Sequence, residues 1–412
     1  MKNTPIVSRA PGFGRKALLA LPLLSLLPAS LFATTFYVAT TGSDSNAGTQ
    51  TAPFKSLTKA QSVAVSGDTV QIRGGTYSSF VIAGADANYN FVHNITKSGI
   101  TYAAFTGETP VFNFSSITTA KRVAAFHIAN GVSGVTIRGI QITGVPVGSQ
   151  KQSECFRIEG NVALDRVTCH DNAANGFYFT LNGSGSCTNC DAYNCIGAGT
   201  SLGNTDGFGC HAKGVTLTSC RSWHNSDDGY DCIASPNANT FDHCWAYNMT
   251  AGGDSNGFKV GGWGSTTPPS SVPVHTVKFC LSANNNAHGF YANHQPGQAA
   301  NWTNNSSYNN AGGNYSMLER VSVTDPTDIP GTREVFHFNI AFQGTTIVDD
   351  NNPAANKTNN SWTKSGVTVS SADFQSTDAT QMDNTRGSSG SMPSITFMHL
   401  ASGSDLTGLG CF

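Results

Sequence analysis

The chain has 412 residues, with 23 Lys and Arg against 25 Asp and Glu, and a formal net charge of -2. Only 12% of it is charged, which excludes both a basic field for nucleic acid and an acidic tail. Its 44 glycines stand among dense Asn, Ser and Thr, so the chain is turn-rich and β-rich with an uncharged polar character.

At the N-terminus, Arg9, Arg15 and Lys16 precede an apolar run over 17–27, and small residues follow up to Ala33. This order predicts an export signal over residues 1–33 and a secreted protein, extracellular or periplasmic. The run is too short to span a bilayer and nothing later is long and apolar enough, so no membrane partner is expected. Residues 34–412 read as a single domain. Its first part, 34–80, holds Phe36-Tyr37-Val38, Pro53-Phe54 and Gly67-Asp68-Thr69-Val70 between Gly-rich turns, and reads as an N-terminal cap. A solenoid needs one because its first coil otherwise leaves an open edge.

Coils are expected over 81–343. Helical periodicity is almost absent, and short β-branched stretches bounded by Gly, Asn or Ser dominate. A repeat organises them. Cys169, Cys190, Cys220, Cys244 and Cys280 each follow a strand-like stretch, and Asn172, Asn194, Asn225, Asn248 and Asn284 come within a few residues. After a variable loop come Gly176-Phe177, Gly207-Phe208, Gly229-Tyr230, Gly257-Phe258 and Gly289-Phe290. Short strands joined by turns, varying only in the loops, predict an all-β, right-handed parallel β-helix in which like residues form ladders about 4.8 Å apart. Residues 344–412 are read as a loop-rich tail that packs back on the coils, with a long polar loop at 345–365. The 11 Cys are an odd number and the domain is large enough to bury its own core, so most are read as small packed residues. Cys187 and Cys190 have metal-binding separation, but no second pair follows. Pairing among Cys155, Cys187, Cys195 and Cys411 is left open.

The columns beside the Gly-aromatic pairs carry the chemistry. Before the Gly stand Asn175, Asp206, Asp228, Asn256 and His288; after the aromatic stand Tyr178, Gly209, Asp231, Lys259 and Tyr291. If the register holds, Asp206 and Asp228 lie on adjacent coils, with Asp227 and Asp231 beside them and Lys259 on the next coil. Isolated Asp residues at such places would only cap turns. Four converging carboxylates repel one another unless neutralised, and calcium takes several hard oxygen ligands in flexible geometry. A cation there would lower the pKa of Lys259 and supply the free amine that proton abstraction needs; on the bland reading Lys259 is a solvated surface lysine.

At these positions, in the stretches 204–208, 225–231 and 256–262, the sequence resembles the family nine polysaccharide lyases, which are pectate lyases with a parallel β-helix fold. The tail segments 371–374 and 401–406 resemble the family too. The resemblance implies calcium held by Asp206, Asp227, Asp228 and Asp231, Lys259 as the catalytic base, and polygalacturonate (pectate) as the substrate, cleaved by β-elimination. A monomer is expected. Lys213, Arg221 and Lys278 are candidate groove cations for a polyanion. Two rivals remain. An inverting polygalacturonase would use Asp206, Asp227 and Asp228, with His288-Gly289 as its histidine, though that histidine falls a coil too late. A non-catalytic carbohydrate-binding β-helix would use calcium for structure only.

Overall fold

The computed structural model describes residues 1–5, 12, 33–147, 152–250, 252–264, 266–348, 350 and 352–412. Most of the expected export signal lies outside the described residues. Met1–Ala33 and Thr34–Phe412 separate as compact units, and all that follows concerns the second.

Among the described residues, the chain forms three long sheets of twelve, ten and eleven strands, plus one two-stranded hairpin. A coil gives one short strand to each sheet, as Val215–Thr218, Arg221–Trp223 and Tyr230–Asp231 do in turn. Neighbours within the long sheets are coils in succession and run parallel; the one reversal is Gly84–Ala85 against Tyr89–Ile95. The expected parallel β-helix is therefore the architecture.

Register is set from inside. On the third sheet Phe126, Phe156, Phe177, Phe208, Tyr230, Phe258, Phe290 and Tyr315 stack coil upon coil, with ring centroids 4.6–5.5 Å apart. All are essentially inaccessible to solvent. Offset stacks of this kind add about 0.5–1.5 kcal/mol per pair beyond area burial, and a one-residue slip would expose the whole row. The preceding glycine is a steric necessity. A Cβ on Gly207 would run into Ser222 Oγ and Asn225 Nδ2 of the corner inside the coil.

Two columns of the predicted repeat are regrouped. Cys169 pairs with Ala192, inside the second sheet. Cys190, Cys220, Cys244 and Cys280 instead each precede a strand of that sheet, at a corner. There the chain has just passed through a residue with φ of 52–54° (Asn189, Ser219, His243 or Phe279), and a small buried side chain fills the inside of the bend. The Asn residues likewise belong to two adjacent columns. Asn194, Asn248 and Asn284 take positive φ, which Asn tolerates well. Asn172, Asn225, Asn285 and Asn310 are the buried ones, one position later. Asn285 shows their work: its Oδ1 accepts from Met249 N at 3.2 Å, and its Nδ2 donates to Asn310 Oδ1 at 2.8 Å. All 11 cysteines are buried free thiols, so none is in a disulfide.

The flanks differ from expectation in detail. The cap contains a helix, Leu57–Val63, that the sequence reading missed; Ser56 Oγ caps it by accepting from Lys59 N, and Leu57 and Ala60 face the core. Within the loop expected at 345–365, Ile347–Val348 and Lys357–Thr358 extend two of the sheets, and Asn360 continues a buried ladder by accepting from Asn339 N at 3.0 Å. After Lys357–Thr358 the tail forms 3-10 turns and isolated bridges. Its Phe374, Met382, Phe397 and Leu406 pack on Trp245, Tyr247, Leu281 and Tyr308 of the second sheet. Asp191 anchors it, holding Arg221 of the same sheet at 2.9 Å and Arg386 of the tail at 2.7 Å.

Candidate active site

The outer face of the third sheet brings the predicted residues together. Gly209 pairs with Asp231, Asp231 with Lys259, and Lys259 with Tyr291, as the Gly-aromatic alignment requires. In the column before the glycines, each side chain reaches the next coil. Asn175 Oδ1 accepts from Asp206 N at 2.7 Å, Asp206 Oδ1 from Asp228 N at 3.1 Å, Asp228 Oδ1 from Asn256 N at 2.9 Å, and Asn256 Oδ1 from His288 N at 3.1 Å. The turn-capping role of these Asx residues and their clustering are thus one arrangement.

One oxygen of each carboxylate is tied to backbone. Asp227 Oδ1 accepts from Asp254 N at 2.6 Å and Asp231 Oδ1 from Ile233 N at 2.8 Å, completing the set. The second oxygens are left to the cluster. Asp206, Asp227 and Asp228 offer oxygens within 4.8 Å of one another, and Asp206, His211 and Asp231 form an overlapping group. His211 Nδ1 lies 2.9 Å from Ile233 O, which can only accept, so its lone pair is on Nε2, the other ring nitrogen.

Lys259 is 9% exposed and its Nζ lies 2.7 Å from Asp254, 3.0 Å from Asp228 Oδ2 and 3.6 Å from Asp231 Oδ2. It is no solvated surface lysine. Burial works against its charge, but Asp228, Asp231 and Asp254 outweigh it and hold the ammonium well above the ordinary range. The acids feel the opposite pressure. Burial, then Asp228, pushes Asp227 up to about 8. Burial raises Asp228 to about 6, with Lys259 restraining the rise. Asp206 is driven well above its usual value by burial and by Asp227, Asp231 and Asp228. Like charges repel within such a set, and its oxygens could hold a cation.

Sequence reasoning missed Asp254 and His211. Asp254 sits five residues before Lys259 in a loop that other coils do not repeat, and no column could reveal it. The proposed groove cations are elsewhere. Arg221 is buried under the tail on Asp191, Lys278 pairs with Asp242 at 3.0 Å on the first sheet, and Lys213 stands in the turn before that sheet's Val215–Thr218 strand. His288 occupies the Asp206–Asp228 column two coils beyond Asp228, so it does not stand among the acids.

Comparison with known proteins gives the family. Residues 36–380 match the family described as Pel9A-like, right-handed β-helix region. The chain belongs to that family. A solved rhamnogalacturonan lyase superposes with a TM-score of 0.82 at 32% identity, covering 92% of this chain and all of that one. Pectate lyase Pel9A superposes at 0.71 with 24% identity over 90% of each chain, which bears on the fold. Pectate lyase L of Dickeya chrysanthemi is 27% identical over 91% of this chain and 85% of its own. This Pel9A-like chain is a polysaccharide lyase. Among its described residues, no helix is long and apolar enough to cross a membrane.

Proposed function

We propose that this enzyme cleaves polygalacturonate by calcium-dependent β-elimination, with Lys259 as the base and Asp206, Asp227, Asp228 and Asp231 as the calcium ligands. The observation that carries the reading is the amine of Lys259 set among buried carboxylates on an outward strand face. The residues fit a hard cation: four acids, each with one oxygen off the backbone, and Asp228 Oδ2 buried without a well-aligned hydrogen bond. Calcium bound there would neutralise the acids that keep Lys259 charged and draw electron density from the uronate carboxylate, acidifying the proton on C5.

The chain's own part is proton transfer. Lys259 Nζ takes the C5 proton, the C5 electron pair forms the C4–C5 double bond, and the C4–O bond breaks. The departing oxygen takes its proton from water. Asp254, half-exposed and 2.7 Å from the amine, orients Lys259 toward the groove.

The relatives named pectate lyase support this substrate. The 32% identity to a rhamnogalacturonan lyase supports a second one, an alternating chain of uronate and neutral sugar. The spacing of the acids speaks against the inverting hydrolase, which needs carboxyl groups about 6.5–9.5 Å apart. The test is ultraviolet absorbance of the unsaturated product on both polymers, with calcium and with chelator. Lyase action lost with chelator and in Lys259→Ala is the expected result. New reducing ends without absorbance would sink the elimination mechanism, and binding without cleavage would leave the non-catalytic reading.

A further inference from the structure

Beyond Lys259 the outward column continues through Tyr291 to Ser316, whose Oγ is buried without a partner. The chain then leaves the coil as an antiparallel hairpin, Leu318–Arg320 against Asp328–Pro330. Arg320 stands at this departure point. Its NH2 group lies 3.2 Å from His294 Nε2; a guanidinium only donates, so His294 is the acceptor. Its Nε is buried with no hydrogen-bond partner.

Arg320 shares with Arg122 and Arg138 the lack of an ion-paired carboxylate among the described residues, and Arg122 Nε is likewise buried without a partner. Arg73, Arg157, Arg166, Arg221, Arg333 and Arg386 each have a carboxylate within ion-pair distance. Arg320 has none among the described residues, although Asp328 is its cross-strand neighbour. A half-buried guanidinium with an idle donor is costly unless something else satisfies it.

The surroundings hold the group in place and tie it to the catalytic face. The next residue back, Glu319, accepts from Gly297 N at 3.2 Å and Arg333 NH2 at 2.9 Å, fixing the root of the hairpin. His294 takes a strained φ of 20° after Asn293 at 66°, and Asn293 Nδ2 secures the turn on Gly261 O at 2.8 Å. The His294 ring lies 5.4 Å from Tyr291, which is in register with Lys259. Asp254, Lys259, Asp328 and Arg320 are the charged groups that act on His294.

We propose that Arg320, steadied by His294, binds the carboxylate of the sugar next to the one cleaved, so that the site selects consecutive uronates. The inference rests on the lyase reading and extends it to substrate choice. The guanidinium, with no carboxylate of its own among the described residues, suits a planar carboxylate, and a neutral sugar would leave it unpaired.

The experiment compares wild type, Arg320→Gln and Arg320→Lys on polygalacturonate and on the alternating rhamnogalacturonan backbone, reading kcat and KM by product absorbance. Thermal melting checks folding. Arg320→Gln is expected to lose at least tenfold more kcat/KM on polygalacturonate than on the alternating polymer, mainly through KM, with partial recovery in Arg320→Lys. Equal losses on both polymers, no loss, or a wild type that cleaves only the alternating chain would each overturn the proposal. If wild type eliminates neither polymer, the lyase reading fails instead. Calorimetry with a tri-galacturonate then decides this site alone: weaker binding by Arg320→Gln supports it, and unchanged binding refutes it.

Discussion

Replacing Glu154 by Gln should stabilise this protein at alkaline pH and do so much less in acid. Glu154 lies on the third sheet in the column that leads through Asn175 to Asp206. It is 0% exposed; Oε1 accepts from Tyr89 OH at 2.8 Å, and Oε2 has no partner. Burial raises its carboxyl from 4.5 to about 7, while Arg157 at 3.8 Å and the Tyr89 hydroxyl limit the rise. A carboxyl displaced that far disfavours its ionised form by about 3 kcal/mol, at about 1.4 kcal/mol per pH unit. Because the folded value is the higher one, the unfolded chain releases the proton first. Stability is therefore complete below about 4.5 and is lost progressively as pH rises to about 7. Gln keeps the acceptor for Tyr89 and has nothing to ionise. Urea unfolding of both proteins at pH 5 and pH 8.5 should show the gap between them widening in favour of Glu154→Gln by about 2–3 kcal/mol. A gap that stays constant or narrows would mean that Arg157 and Tyr89 overcome burial and that Glu154 is ionised in the fold.

Gly207→Ala should destabilise by about 1–3 kcal/mol, since its methyl meets Ser222 and Asn225 at a closed corner; an unchanged urea midpoint would refute the steric argument. Asp191→Ala strands two guanidinium groups against the tail and should cost about 3–5 kcal/mol, with protease cleavage appearing first within 364–412; a tail protected as before would show that its apolar contacts suffice. Calcium at a hundredfold excess over its Kd should stabilise wild type by about 2.7 kcal/mol, seen as a raised Tm, and Asp228→Asn much less; equal shifts in both would place the cation elsewhere.

The sequence disclosed the site face because sterics force its signal. Only Gly fits the corner and an aromatic must follow it, so the outward Asp and Lys on either side line up however long the loops are. At the other corners the code is ambiguous. A residue at positive φ and the buried residue after it stand side by side and both accept Asn, which is why two columns were merged into one. Asp254, His294 and Arg320 come from segments that no other coil repeats, so periodicity had nothing to say about them. Arg221 illustrates the converse failure. Its column was legible, but its partners Met382 and Asn384 lie over 160 residues away in a tail with no period.

The third sheet is unevenly built. Its strands are seven residues long at Tyr89–Ile95 and Arg122–Ile128, three at Phe208–Cys210, and two at Tyr230–Asp231 and Phe258–Lys259. The chemistry therefore sits on the narrowest rungs of the wall, where backbone pairing is scarcest. There the Asx oxygens serve as stitching, each sewing its coil to the next through one amide. The same side chain thus closes a seam with one oxygen and leaves the other to the cluster of acids beside Lys259. An amide in place of the acid cuts the charge and keeps the stitch, whereas alanine removes both. A catalytic defect on this wall can be told from a loosened seam only by making the two substitutions side by side.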